Sequence, residues 1–359
     1  RFHKFTNLES DPAGFPHYRL SASGNTVIEK SNAVPDTLLF KRKLNGGISA
    51  QVVGNRQFAI VSTLNKRIYF LQSSSGKEIT SLVTKSAIGA AVALVDELVY
   101  FAEESGGDRL ICFNLVSGKK VWKFAVDDPQ GAPIVYDEDI FISSRPGILY
   151  RLNRWLGEEI WKYDLSGQSY TAAAVDSDHV YIGSALGELL CLNRQDAELL
   201  WSYRTGGAIV ASPMVDKFLY CGSSDGAMYA LNRVNGELIW KYETAGKIFT
   251  TPVATRGLLL FGSHDRNVYC LDAGNGDLLW SYETDGILRS SPIVVGDHFL
   301  CATAAGTVYI FDLAGKVIKT FTVNGSVSAP LSYFDSKLYV ATRKRMIYCF
   351  GNSSTSSKH

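Results

Sequence analysis

The six cysteines of this 359-residue chain recur at regular spacing, which limits the chemistry they can support. Four of them are spaced 79 residues apart, namely Cys112, Cys191, Cys270 and Cys349. The other two, Cys221 and Cys301, are 80 residues apart. A metal or redox centre would call for a Cys-x-x-Cys pair or a nearby pair of histidines, and the sequence has neither. Equivalent positions two repeats apart are too distant for a disulfide, so we predict buried, unpaired thiols.

A histidine and its charged neighbours form the next candidate. His264, Asp265 and Arg266 replace the Asp225-Gly226 type of turn found in an equivalent segment, so His264 is a candidate for proton transfer at a loop tip. The repeat pattern does not place a second histidine or carboxylate where it could act with His264. The alternative is a solvated hairpin turn, and in either case His264 and Arg266 are candidates for contact with a partner.

A basic turn near the end of the chain is the second candidate. Arg343, Lys344 and Arg345 occupy the position equivalent to the His264 turn. Arg343 and Arg345 are therefore candidates for binding an acidic partner or lipid head groups. The alternative is a simple charged turn.

An unusual tryptophan is the third candidate. Trp155 follows Arg154 in a turn where another unit has Arg233 and Val234. Exposed tryptophan and arginine are typical anchors of protein interfaces, so we predict that both side chains contact a partner. The alternative is that the indole folds back over the neighbouring strand.

The elements that position these residues repeat about every forty residues. Five tryptophans recur at intervals of 39, 40, 39 and 40, namely Trp122, Trp161, Trp201, Trp240 and Trp280. Four apolar segments lie within one such unit, at residues 209–215, 218–222, 227–231 and 238–242, with a hairpin signal at Asp225-Gly226. A unit of this length and strand count predicts the four-stranded antiparallel blade of a β-propeller.

Counting the first strand of each unit predicts eight blades. These strands are expected at residues 48–53, 88–94, 132–136, 171–175, 210–215, 249–254, 289–294 and 327–333. The last unit stops before its fourth strand, whereas the segment around Phe40 resembles the segment around Trp201. We therefore predict that this N-terminal strand completes the last blade and closes the ring, which leaves no long open sheet edge.

Composition agrees with one globular domain and excludes some functions. The chain is 46% hydrophobic and 20% charged, and its formal net charge of +1 gives no electrostatic footprint for nucleic acid. No apolar run is long enough to cross a bilayer. We expect an N-terminal extension at residues 1–34, a single propeller at 35–351 and a disordered tail at 352–359.

The repeat resembles the PQQ-type repeat with its tryptophan-docking motif. The resemblance rests on units such as residues 229–240, which run from Tyr229 through Gly236 to Trp240, and it extends from about Phe15 to Gly351. It implies that each of the five regularly spaced tryptophans packs against the neighbouring blade and holds the ring together.

The same resemblance implies two alternative functions. Quinoprotein dehydrogenases of the family are longer, hold their quinone under adjacent cysteines and bind calcium, whereas here no two cysteines are adjacent and the units have hardly an insertion. The compact form is similar to propeller subunits of the machine that inserts β-barrels into the bacterial outer membrane. This similarity implies a non-catalytic scaffold without cofactor or metal. It also implies that the scaffold binds a barrel-assembly protein in the periplasm, with any leader and lipidated cysteine preceding residue 1. The alternative is a small quinoprotein dehydrogenase with its cofactor in the central channel.

Overall fold

The computed structural model describes residues 2, 4–5, 27–28, 34–105 and 109–352. Throughout these residues the regular structure consists of strands, and no helix is found among them. The strands form eight antiparallel blades of four strands each, arranged as an eight-bladed β-propeller, and one short N-terminal strand adds to one of these sheets in parallel. This confirms the predicted fold class.

Two strands precede the first complete blade: β1 (Val27–Ile28) and β2 (Thr37–Lys43). Blade 1 contains β3 (Val53–Gly54), β4 (Phe58–Thr63), β5 (Arg67–Gln72) and β6 (Glu78–Val83). Blade 2 contains β7 (Ala93–Val95), β8 (Leu98–Ala102), β9 (Leu110–Asn114) and β10 (Lys119–Phe124). Blade 3 contains β11 (Pro129–Tyr136), β12 (Asp139–Ser144), β13 (Ile148–Asn153) and β14 (Glu159–Asp164). Blade 4 contains β15 (Ala174–Val175), β16 (His179–Gly183), β17 (Glu188–Asn193) and β18 (Leu199–Arg204).

The second half of the ring repeats the same order. Blade 5 contains β19 (Met214–Val215), β20 (Leu219–Gly222), β21 (Ala227–Leu231) and β22 (Leu238–Glu243). Blade 6 contains β23 (Val253–Thr255), β24 (Leu258–Gly262), β25 (Asn267–Asp272) and β26 (Leu278–Glu283). Blade 7 contains β27 (Ile293–Val295), β28 (His298–Ala302), β29 (Thr307–Asp312) and β30 (Val317–Thr322). Blade 8 contains β31 (Ser332–Phe334), β32 (Lys337–Ala341), β33 (Met346–Gly351) and β2.

The N-terminal strand closes the ring as predicted. β2 pairs antiparallel with β33, and Phe40 lies opposite Cys349, as Trp201 lies opposite Cys191 in blade 4. Next to this junction the Lys319 Nζ lies 2.9 Å from Asp36 Oδ2. The hydrogen bond from Lys319 is the largest influence on the Asp36 carboxyl and lowers its pKa. Most of the expected extension at 1–34, and all but the first residue of the expected tail at 352–359, lie outside the described residues.

Part of the N-terminal segment lies in the central channel, which the sequence did not predict. β1 pairs in parallel with β27, the innermost strand of blade 7, so that Val27 lies opposite Val294. The Gly296 N–H donates to the Ile28 carbonyl at 2.7 Å. Val27 and Ile28 also pack against the apolar cores on either side of blade 7. The channel is therefore partly filled by the chain itself.

The innermost strands are shorter than predicted. Residues 171–175 were expected to form one strand, but β15 covers only its last two residues, and a similar shortening occurs in most other blades. Near the axis, hydroxyl groups replace much of the ladder: Thr250 Oγ1 donates to the Gly262 carbonyl at 2.8 Å, and Ser212 Oγ accepts the Ala172 N–H at 2.9 Å. These side chains satisfy backbone groups where converging blades leave no regular pairing.

The five regularly spaced tryptophans each contact the next blade. Each indole Nε1 donates to a carbonyl in the following blade at 2.8–3.2 Å: Trp122 to Arg154, Trp161 to Arg194, Trp201 to Arg233, Trp240 to Ala273 and Trp280 to Leu313. At four of these junctions the ring covers a glycine with a left-handed φ, and at the fifth Ala197 adopts such a φ of 63°. These contacts explain why the tryptophans recur with the blades.

All six cysteines are free and buried. Burial raises the pKa of the Cys112, Cys191, Cys270 and Cys349 thiols to about 12. The same cause raises the pKa of Cys221 and Cys301. The thiolate is the reactive form, so these residues act as small apolar side chains.

Across the described part of the chain, no helix has the length and apolar character needed to cross a membrane.

Candidate functional site

The predicted site residues lie on two opposite faces of the propeller. In each blade, the turns after the first and third strands lie on one face, and the turn after the second strand lies on the other, because successive strands are antiparallel. We name these the Trp155 face and the His264 face. Arg154 and Trp155 lie on the first, whereas His264, Arg266, Arg343 and Arg345 lie on the second. The structure therefore does not unite them in one site.

The turn that carries Trp155 is held from two sides. Within it, Asn153 Oδ1 accepts the backbone N–H groups of Trp155 at 2.9 Å and Leu156 at 3.0 Å. Across the blade junction, Trp122 donates to the Arg154 carbonyl, and its ring lies against Gly157. The turn therefore has a fixed position although its tip is exposed.

Arginine and tryptophan stack at this tip. The Arg154 guanidinium carbon lies 4.1 Å from the centroid of the Trp155 ring, a cation–π contact. Trp155 is 42% exposed and Leu156 is 61% exposed, so the indole does not fold back to become buried. We name Arg154, Trp155 and Leu156 the Trp155 patch. It combines a flat aromatic ring, an aliphatic side chain and a positive charge.

Equivalent arginines in the next two blades have acidic partners, whereas Arg154 has none among the described residues. Arg194 Nη1 lies 3.1 Å from Asp139 Oδ2, and Arg233 Nη1 lies 3.3 Å from Asp176 Oδ2. Among the described residues no carboxylate pairs with Arg154, and its Nε, although buried, has no hydrogen-bond partner. The positive charge of the Trp155 patch is therefore not balanced by a described carboxylate, whereas the charges of Arg194 and Arg233 are.

A group of three residues near these turns was not suggested by sequence spacing. Asp176, Asp178 and His179 bring potential ligand atoms within 4.8 Å of one another. However, Asp176 Oδ1 accepts the backbone N–H groups of Asp178 at 3.0 Å and His179 at 2.8 Å, and Oδ2 accepts the Tyr181 hydroxyl at 3.0 Å and faces Arg233. Burial favours a higher pKa for Asp176, but these hydrogen bonds outweigh it and lower the pKa. The group anchors a turn.

His264 on the opposite face is partly buried against Phe249. Their ring centroids are 4.6 Å apart in an edge-on arrangement. Burial, together with the positive charges of Arg289 and Lys247, lowers the pKa of His264. The imidazole is therefore neutral at pH 7, and its buried Nε2 has no hydrogen-bond partner among the described residues. Asp265 does not face it but accepts the Tyr269 hydroxyl at 2.8 Å.

The other cations of the His264 face differ in their partners. Arg266 Nη2 lies 2.6 Å from Glu283 Oε1, so its charge is balanced within blade 6. Arg343 Nε donates to Ser328 Oγ at 3.2 Å, and Lys344 Nζ donates to Asn324 Oδ1 at 2.9 Å. Arg345 is exposed and, within the described residues, has no acidic partner. The turn at residues 343–345 is thus a basic surface.

These features define the class of protein as a compact β-propeller built from PQQ-type repeats. The chain belongs to the family of the outer membrane protein assembly factor BamB, whose model matches residues 64–207, 145–246 and 204–326. These overlapping matches extend from the middle of blade 1 to the segment that follows blade 7. No curated protein sequence matches the chain.

Solved structures share the fold at low sequence identity. BamB from Moraxella catarrhalis has a TM-score of 0.76 at 17% identity, with 88% of this chain and 99% of that chain covered. The computationally designed Ika8 protein has a TM-score of 0.80 at 14% identity, covering 88% of this chain and 100% of that one. Quinohemoprotein alcohol dehydrogenase ADHIIG from Pseudomonas putida HK5 has a TM-score of 0.80 at 13% identity, with 97% of this chain and 81% of that chain covered. At these identities the likeness shows the fold, which binding proteins and enzymes share.

Proposed function

We propose that this chain is a non-catalytic scaffold subunit of a bacterial cell-envelope complex, and that it binds a BamA-like barrel-assembly protein in the periplasm at the outer membrane. The Trp155 patch is the observation that carries the proposal. An exposed tryptophan stacked on an arginine that no described carboxylate pairs with is suited to an apolar and acidic segment of another protein. Membership of the BamB family supports the same function.

The propeller contributes rigidity to this interaction. The Trp155 turn is fixed by Asn153 inside its blade and by Trp122 from the preceding blade. A partner therefore meets a surface that is already ordered, and binding loses little free energy in ordering the scaffold. The partner's carboxylate would supply the charge that Asp139 and Asp176 supply to the equivalent arginines.

The central channel fits the scaffold better than the quinoprotein alternative. Val27 and Ile28 line the innermost strand of blade 7 and place apolar side chains in the channel. On the His264 face, a cavity of about 390 Å³ near the axis is lined mainly by small residues, and Glu104 is its one acidic lining residue among those described. A quinone and its calcium would need several acidic groups besides amides, whereas this lining offers the amides of Gln51 and Gln130 but a single described carboxylate.

Co-purification from the native envelope tests the proposal. The tagged chain is isolated from gently solubilised envelope, partners are identified by mass spectrometry, and the same sample is scanned for quinone absorbance. Stoichiometric recovery of a barrel-assembly protein without quinone is expected. Recovery of stoichiometric quinone with no protein partner would overturn the scaffold proposal and favour the dehydrogenase.

A further inference from the structure

The junction between blades 1 and 2 lacks the side chains that tie other junctions together. Thr80 stands opposite Phe70 at the position that Trp122 holds in blade 2. Ile60 similarly stands where blade 2 has Tyr100. This junction therefore lacks an indole N–H and a tyrosine hydroxyl from its own blade.

At other junctions these two groups donate hydrogen bonds to one carbonyl of the following blade. The carbonyls that accept tryptophan N–H groups also accept tyrosine hydroxyls at three junctions, from Tyr100 at 3.3 Å, Tyr181 at 3.2 Å and Tyr220 at 3.0 Å. At the equivalent junction of blades 8 and 1, Tyr339 donates to the Ser73 carbonyl at 3.4 Å, and the Phe40 ring covers Gly76. The matching groups of blade 2 are the Leu115 carbonyl and Gly118, which has the same left-handed φ of 66°.

The N-terminal segment reaches both of these groups. The backbone N–H of Phe5 donates to the Leu115 carbonyl at 3.2 Å. The side chain of Lys4 covers Gly118, since a Cβ built on that glycine would lie 2.9 Å from Lys4 Cγ. A backbone amide and an aliphatic side chain thus occupy the positions of an indole N–H and an indole ring.

Two phenylalanines of the same segment complete the contact. The Phe5 ring centroid lies 4.7 Å from that of Phe58 and 5.5 Å from that of Phe70. Phe2 lies 5.6 Å from Phe70 and 5.0 Å from Phe113, both edge-on. Phe58, Phe70 and Phe113 belong to a buried core that extends through blades 1 to 4. Phe2 and Phe5 are partly buried against it.

We infer that the junction of blades 1 and 2 is a peptide-binding site for a Phe-x-x-Phe segment, which the chain's own Phe2, Lys4 and Phe5 occupy in cis. The site consists of an aromatic cleft formed by Phe58, Phe70 and Phe113, with the Leu115 carbonyl at its edge. The segment replaces in the ring the tryptophan that blade 1 lacks. This inference does not depend on the proposed function.

Binding of a free peptide provides the test. The full chain carrying Phe2→Ala and Phe5→Ala is titrated with a fluorescently labelled peptide of residues 1–5, and the unaltered chain is titrated in parallel. We expect saturable binding to the variant and at least about tenfold weaker binding to the unaltered chain, because its own segment competes at high effective concentration. A peptide with alanine in place of both phenylalanines is the matched control and should not bind.

Three results would overturn the inference. These are equal binding by the two proteins, equal binding by the two peptides, or no binding to a folded variant. Light scattering on the unaltered chain distinguishes occupation in cis from exchange between two copies. A monomer is expected, and a dimer that Phe2→Ala and Phe5→Ala dissociates would contradict cis occupation.

A restored tryptophan gives a second, independent test. Thr80→Trp supplies the indole that blade 1 lacks, so in that background the two phenylalanine substitutions should leave the melting temperature unchanged. In the unaltered background they should lower it by several degrees. The same decrease in both backgrounds would show that the segment does not replace the tryptophan. If Thr80→Trp fails to fold, the peptide titration still tests whether the junction binds the segment.

Discussion

The indole of Trp122 lies against Gly157 of the next blade, and a Cβ built on Gly157 would fall 2.5 Å from the ring. The same indole donates to the Arg154 carbonyl at 2.8 Å. One contact therefore joins blades 2 and 3 and also fixes the turn that carries Trp155. Stability of the ring and the position of the proposed binding surface are linked through this pair.

Gly157→Ala should destabilise the protein more than an alanine at an open glycine. Gly157 has φ 70°, and its new methyl group would also clash with Trp122. Gly257 is the matched control, because it has φ 78° and nothing lies within 4 Å of its Cβ position. We expect a decrease in the free energy of unfolding of about 1 kcal/mol for Gly257→Ala and about 2–4 kcal/mol for Gly157→Ala, measured by chemical denaturation. Equal losses would mean that the indole moves aside without cost.

Phe40→Ala should weaken the closure of the ring. The Phe40 ring packs over Gly76 of blade 1, and its strand β2 completes blade 8. We expect a decrease of about 2–4 kcal/mol in the free energy of unfolding and faster hydrogen exchange in β33, the partner of β2. Phe124→Ala, in the outer strand of blade 2, is the control and should not change exchange in β33. Unchanged exchange in β33 after Phe40→Ala would argue against the closing role of this ring.

His264 should make the protein less stable in mild acid. Burial, Arg289 and Lys247 lower its pKa in the folded state below the value of about 6.5 expected when unfolded. The unfolded chain then binds more protons at pH values below about 6.5, so stability falls as the pH is lowered through that value towards the folded pKa. The lowered pKa values of Asp176 and Asp225 act at more acidic pH, below about 4.

Thermal unfolding between pH 5 and pH 8 checks this prediction. The melting temperature of the unaltered chain should decrease from pH 7 to pH 5 by more than that of His264→Gln, which has no proton to gain in this range. Parallel pH profiles for the two proteins would show that His264 keeps its ordinary pKa.

Arg154→Lys should weaken partner binding without affecting folding. Lysine keeps the positive charge, but it lacks the planar guanidinium that lies 4.1 Å from the Trp155 ring. We expect a roughly five- to tenfold loss of affinity and an unchanged melting temperature. Arg233→Lys is the control at the equivalent position two blades away and should retain full affinity. Equal losses from both substitutions would show that the guanidinium stacked on Trp155 has no special role in binding.

The blades were predictable because they arise from local and repeated patterns. The spacing from Trp122 to Trp280 indicates the period, and the likeness of Phe40 to Trp201 predicts the strand that completes blade 8. The innermost strands were predicted too long, because the apolar pattern of residues 171–175 does not reveal that hydroxyl groups replace the ladder near the axis. The turns that carry Trp155 and His264 were correctly predicted from sequence alignment of the units.

Contacts outside the repeat were not predictable from the pattern. Nothing in the period places Val27 beside Val294, or Phe5 beside Phe58, since each pair joins a unique segment to a repeated one. That no described carboxylate pairs with Arg154 is likewise seen only when its surroundings are compared with those of Arg194. The sequence does show the loss of the docking aromatic at Thr80, and likewise at Lys319, but it does not show which residues take its place.

The most direct test of the scaffold account is the affinity of the co-purified partner for two matched variants. Trp155→Ala removes the exposed indole, whereas Val234→Ala truncates the residue at the equivalent turn position, which is 63% exposed. Measured by surface plasmon resonance, Trp155→Ala should weaken binding by about tenfold or more, with an unchanged melting temperature, and Val234→Ala should bind as the unaltered chain does. Full affinity of Trp155→Ala would contradict the account.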